Sequence, residues 1–108
     1  MSKYHSRKVK VDGITFDSIH EARMWSELKL LERAGKIKDL RRQVKYQLVP
    51  AQRNSQGKHI RPVYYIADFV YKDHSGVVVA DAKGFQTDIY KLKKKLMLYV
   101  HNIEIKEI

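Results

Sequence analysis

The chain has no cysteine, which removes disulfides, thiolate zinc sites and cysteine nucleophiles from consideration. It has no apolar window long enough to cross a bilayer, and its start, MSKYHSRKVK, carries charge without an apolar h-region. Neither a membrane span nor a secretory signal is therefore expected, and the expected location is the cytoplasm. Internal repeats and low-complexity tracts are absent too, which leaves no sign of a solenoid or a disordered tail. Acids are scarce: 12 Asp and Glu stand against 22 Lys and Arg, a formal charge of +10 over 108 residues. A balance so far from neutral favours a polyanionic partner, nucleic acid first. The length suits one domain, residues 1–108, with a modest single core.

What is present reads as an α/β pattern. RKVKVDGITFDS alternates apolar and polar residues on both sides of Asp12-Gly13, a dipeptide suited to a tight hairpin turn. A helix follows, with Ser18 as N-cap, Ile19, Ala22, Trp25, Leu28 and Leu31 at helical spacing, and Gly35 as the stop. In LRRQVKYQLVP, Leu40, Val44, Tyr46 and Leu48 recur at period two and Pro50 ends the run, which predicts a strand. The polar stretch AQRNSQGKHIRP predicts a mobile loop. Residues 63–71 and 77–83 are almost continuously apolar, as strands in the middle of a sheet are. A second helix opens at Thr87 with Ile89, Leu92, Leu96 and Tyr99 as its apolar stripe, and NIEIKEI closes the chain as a short strand. The order is helix, strand, strand, strand, helix, strand, behind an N-terminal hairpin. In such an arrangement helices flank a mixed central sheet.

Two of the scarce acids, Asp68 and Asp81, lie inside those hydrophobic strands, joined by the turn segment KDHSG. If that turn has an even number of residues, such as His74-Ser75 or Asp73 to Gly76, Asp68 falls opposite Asp81, and Lys83 falls opposite Ile66 on the same face. An odd turn separates the acids onto opposite faces. Like charges directly across a ladder destabilise the fold. A divalent cation resolves the conflict, since Mg²⁺ takes one or two carboxylates together with water and phosphate oxygens.

Asp68, then Asp81-Ala82-Lys83, with Glu21 on the preceding helix, resembles the PD-(D/E)XK nuclease superfamily, whose restriction-endonuclease-like core is the same αβββαβ order. Within it the chain is most similar to a small phage-associated branch catalogued as a domain of unknown function, and more distantly to Holliday-junction resolvases. The resemblance runs from Ser18 onward. One departure is Ala67, where the family pattern has proline before the first acid. The resemblance implies that Asp68, Asp81 and the Ala82 carbonyl bind Mg²⁺, with Mn²⁺ as a substitute, and that Glu21 completes the acidic set. It also implies that Lys83 orients or deprotonates the attacking water and stabilises developing charge, with Glu21, Asp68, Asp81 and Lys83 as the catalytic residues. Ser18-x-x-Glu21 is also a capping box, in which the glutamate would only satisfy a backbone N–H.

Further residues suit DNA. Lys91 and Lys94 share one turn of the second helix, and the start of that helix at Thr87 offers free N–H groups to a phosphate. Arg41, Gln43 and Lys45 share the polar face of their strand, and Arg53, Lys58 and Arg61 charge the loop. The expected function is a Mg²⁺-dependent DNA endonuclease that hydrolyses phosphodiester bonds of recombination or junction DNA. It would leave a 5′-phosphate and work as a homodimer to cut two strands, in a bacterium or a phage within one. The alternative is a non-catalytic basic DNA-binding accessory protein on the same scaffold.

Overall fold

A computed structural model describes residues 7–82 and 84–108. The N-terminal hairpin consists of β1 (Val9–Val11) and β2 (Ile14–Phe16). Asp12 at φ 53° and Gly13 at φ 77° form its two-residue turn, as the dipeptide predicts. Helix α1 (Ile19–Arg33) starts at Ser18, whose hydroxyl accepts from the Glu21 N–H. It buries Ala22, Trp25 and Leu28 and leaves Ile19 and Leu31 exposed at the two ends of the expected stripe. Three long elements follow: β3 (Lys38–Val49), β6 (Val63–Asp73) and β7 (Gly76–Asp81). Helix α2 (Asp88–His101) and the short β8 (Lys106–Glu107) complete the order. The four strands form one mixed sheet in the order β3-β6-β7-β8, with β8 parallel to β7 and the other pairs antiparallel. The α/β architecture and its αβββαβ order therefore stand as expected.

Three expectations give way. The loop between β3 and β6 is a small hairpin, β4 (Gln52–Arg53) with β5 (His59–Ile60). The Asn54 side chain closes its turn by accepting from the N–H groups of Gln56 and Lys58 at 2.9 and 3.0 Å. An Asx-type turn needs no apolar anchor, which is why a mostly polar segment still takes a fixed shape.

The stripe on α2 faces elsewhere than expected: Tyr90 and Met97 are buried, while Ile89 is 65% and Tyr99 87% exposed, with Leu92 also outward. Thr87 caps the helix by accepting from the Tyr90 N–H, and the Tyr90 hydroxyl donates to Glu107 at 2.7 Å. Together these contacts fix the roll of the helix on the sheet; of the expected stripe Leu96 packs inward, against the cluster around Met97, and the other three turn outward.

The inward residues of β3 also do not share one face. Two apolar clusters fill the two sides of the sheet. One lies under α1 around Phe16, Trp25 and Phe69, and the other under α2 around Tyr65, Val70 and Met97. Leu40 packs with the first, and Val44, Tyr46 and Leu48 with the second. The guanidinium of Arg42 lies 4.6 Å over the Phe16 ring on the α1 side. The strand therefore turns over between Arg42 and Val44. Gln43, at φ 53°, is the residue that turns it. The register is the same on both sides of this point, Arg42↔Phe69 and Val44↔Ala67, so the chain twists without inserting a residue and the register brings Gln43 opposite Asp68. Strand β6 changes sides at the same place: Phe69 and Tyr71 join the α1 cluster, Tyr65 and Ala67 the α2 cluster. Arg41 consequently lies on the opposite face from Lys45 and does not share a polar face with it.

Candidate active site

The β6–β7 hairpin closes through His74-Ser75, with Asp73↔Gly76 as its last pair and Phe69↔Ala80 as its innermost described pair. Continued by one residue, this register sets Asp68 opposite Asp81, the even-turn arrangement. The turn chemistry is local: Asp73 accepts from both the N–H and the hydroxyl of Ser75, at 2.8 and 2.7 Å.

Asp81 is only 2% exposed. Asp68 is half-buried, and its Oδ2 accepts from the Ala82 N–H at 2.9 Å. Burial, then a hydrogen bond with Asp81 and the charge of Asp81, push the Asp68 carboxyl up to about 8, against a smaller opposing effect of the Ala82 N–H. At neutral pH Asp68 thus keeps its proton, because two carboxylates in so dry a place cannot both be ionised. Glu21 is 6% exposed, and its charge is felt by Asp68. Its carboxylate accepts from Gln43 Nε2 at 3.4 Å and lies 3.8 Å from the Arg42 guanidinium. Burial foremost, then the nearby Asp17, raise the Glu21 carboxyl above its ordinary value, while Arg42 and the Asp17 backbone lower it. The Ser18 side of the capping box is present. The glutamate carboxylate accepts from the Asp17 backbone just before the cap and also meets Gln43 and Arg42 on β3.

Beside the acids is a cleft of about 280 Å³ lined by Tyr64, Tyr65, Ile66, Asp68, Asp81, Thr87, Ile89, Tyr90 and Lys93. Burial suppresses ionisation of both Tyr65 and Tyr90. Thr87, expected to help bind a phosphate, is at the cleft as the N-cap of α2. The lysine of α2 that lines the cleft is Lys93. Lys91 and Lys94 line a separate groove with Gln86, Lys95, Leu98 and Glu104, and Lys94 also pairs with Glu107 at 3.0 Å. Helical spacing could have flagged Lys93, since it falls on the flank next to Tyr90, but only the roll of α2 selects it from its neighbours. Lys45 is exposed on β3 with its ammonium 5.2 Å over the Tyr64 ring. Arg53, Lys58 and Arg61 are exposed on or beside the β4–β5 hairpin, where Arg53 donates to the Gly57 carbonyl at 2.8 Å. Lys83 and the basic first residues, 1–6, lie outside the described residues.

The side chains gathered here are carboxylates: Asp68 and Asp81, with Glu21 beside them. That is the chemistry of a hard divalent cation, which needs only one or two carboxylates and completes its shell with water. Among the described residues no three His, Cys, Asp or Glu side chains already stand close enough to close around an ion. The Asp68–Asp81 pair is the part whose chemistry suits a hard divalent cation, with Glu21 beside it.

Residues 1–107 match the family described as "Protein of unknown function (DUF1064)", and the chain belongs to it. No curated protein and no solved structure gives a significant match. No helix among the described residues is long and apolar enough to cross a membrane.

Proposed function

We propose that this protein is a Mg²⁺-dependent DNA endonuclease of the PD-(D/E)XK kind, acting on branched or otherwise structured DNA in recombination, in a bacterium or a phage, as a homodimer. The observation that carries the reading is the register that sets Asp68 against Asp81 at the edge of an open cleft in a protein of charge +10. A protein that only bound DNA would lose by holding two acids where the phosphate must come.

In this reading Asp68, Asp81 and the Ala82 carbonyl hold the cation, which when bound supplies Lewis acidity and lowers the pKa of water. Asp68 must give up its proton for this. Glu21, kept basic by burial and steadied by Gln43 and Arg42, holds the attacking water and takes its proton. Lys93 and the start of α2 hold the phosphate from the far wall of the cleft, where positive charge offsets the negative charge that grows as the bond to phosphorus forms. Lys83 follows Asp81 in the D-x-K pattern and would share that task. The leaving oxygen departs as the 3′-hydroxyl and the new bond leaves a 5′-phosphate.

Labelled linear, nicked, single-stranded and junction DNA, incubated with Mg²⁺, Mn²⁺ or EDTA, tests the proposal. Cleavage should need the metal and vanish in Asp81→Asn, while that variant still binds DNA. Equal cleavage in EDTA, or an active Asp81→Asn protein, would remove the acid pair from the mechanism.

A further inference from the structure

Among the described residues the turnover at Gln43 leaves one part of the sheet uncovered. Beyond it Val44, Tyr46 and Leu48 of β3 and Tyr65 and Ala67 of β6 point into the α2 cluster. The alternating residues Lys45, Gln47, Tyr64 and Ile66 stand on the other face and are exposed. They are neighbours across the ladder, since Lys45 pairs with Ile66 and Gln47 with Tyr64. Among the described residues β7 pairs with β6 only from Phe69 onward. This platform leads along β6 straight to Asp68. From Tyr64 the distance is four residues of strand, about 13 Å at roughly 3.3 Å per residue.

The chemistry of the platform is unusual for a place meant to receive DNA. Tyr64 is 36% and Ile66 45% exposed, and Ile89 lines the same cleft. Singly exposed apolar side chains are ordinary, but three of them on the walls of one cleft beside ionisable acids are not. The outside of a duplex is phosphate and sugar, which gain nothing from tyrosine and isoleucine. The flat face of an unpaired base does gain, and base stacking on an exposed aromatic ring of an open sheet is a recurrent way to hold single strands. Lys45, over the Tyr64 ring, supplies the cation that the phosphate of such a nucleotide needs.

We propose that the bare face of β3 and β6 seats unpaired nucleotides, with Tyr64 as a base-stacking platform a nucleotide or two from the acid pair. The substrate class is then nucleic acid with a single-stranded segment at the cut. This rests on the nuclease reading for its purpose, but its test uses no metal and no cleavage. A single-stranded oligonucleotide carrying 2-aminopurine is titrated with protein in EDTA, beside the same sequence as a duplex. The parent protein should quench the fluorescence of the single strand and bind it at least several-fold more tightly than the duplex. Tyr64→Ala should lose about tenfold in single-strand affinity together with the quenching, within the range for one stacked base. Tyr64→Phe, which keeps the ring, should retain both, and melting curves check that each variant is folded. Unchanged quenching by Tyr64→Ala, or a parent that prefers duplex, would overturn the inference whether or not the protein cleaves DNA. Absence of cleavage with quenching intact would instead overturn the nuclease reading alone.

Discussion

Replacing Asp68 by asparagine should make the metal-free protein more stable near neutral pH, and the amount should depend on pH in a defined direction. The folded protein holds the Asp68 proton up to about pH 8, whereas the unfolded chain releases it near the ordinary value of 3.8. Between those limits the folded state binds one more proton than the unfolded state. The stabilisation is therefore complete below about pH 4 and is lost as pH rises toward 8. One proton corresponds to about 1.4 kcal/mol per pH unit, so the group alone removes up to about 2.7 kcal/mol between pH 5 and pH 7. Asparagine copies the protonated acid: its oxygen can accept from the Ala82 N–H and its amide can donate to Asp81, with no proton to lose. The melting temperatures of parent and Asp68→Asn should lie close together at pH 4.5 and separate as pH rises, with the variant above. Even half of the expected difference is about 5 °C for a domain of this size. Saturating Mg²⁺ at pH 8 should raise the parent, by about 2.7 kcal/mol at a hundred times its dissociation constant, and leave the variant where it was. Parallel melting curves from pH 4.5 to 8, or a variant that gains as much from Mg²⁺ as the parent, would refute the reasoning.

Gln43→Gly should relieve the positive-φ strain and stabilise the fold by up to about 1 kcal/mol in urea titrations, while cleavage falls because Glu21 loses its amide partner. Phe69→Ala should cost about 3–5 kcal/mol, read from the denaturation midpoint, because the ring is fully buried and stacks on Trp25 at 6.3 Å. Affinity for duplex DNA should fall steeply with salt, and Lys45→Ala with Lys93→Ala should reduce the slope of log affinity against log salt by about 2, one for each phosphate that is no longer neutralised.

The sequence alone determined the elements that local chemistry controls. Asp12-Gly13 can adopt the two positive φ angles of its turn, Ser18 and Thr87 cap the helices they precede, and two apolar runs joined by a short polar turn pair with each other. The facing of Asp68 and Asp81 was legible as one of two possible registers, and the two-residue turn at His74-Ser75 selected it. Tertiary structure decided the rest. Nothing local marks Gln43 as the residue where β3 turns over; the two helices, packed on opposite sides of one twisted sheet, require the inward face to change there. Glu21 could cap its helix or join the acids, and β3 decided by bringing Gln43 and Arg42 to its carboxylate. Four lysines in five positions of α2 looked equivalent along the chain. Lys93 reaches the cleft because Tyr90 is tied to Glu107, which fixes the roll of the helix from a strand whose place in the sheet no local pattern specifies.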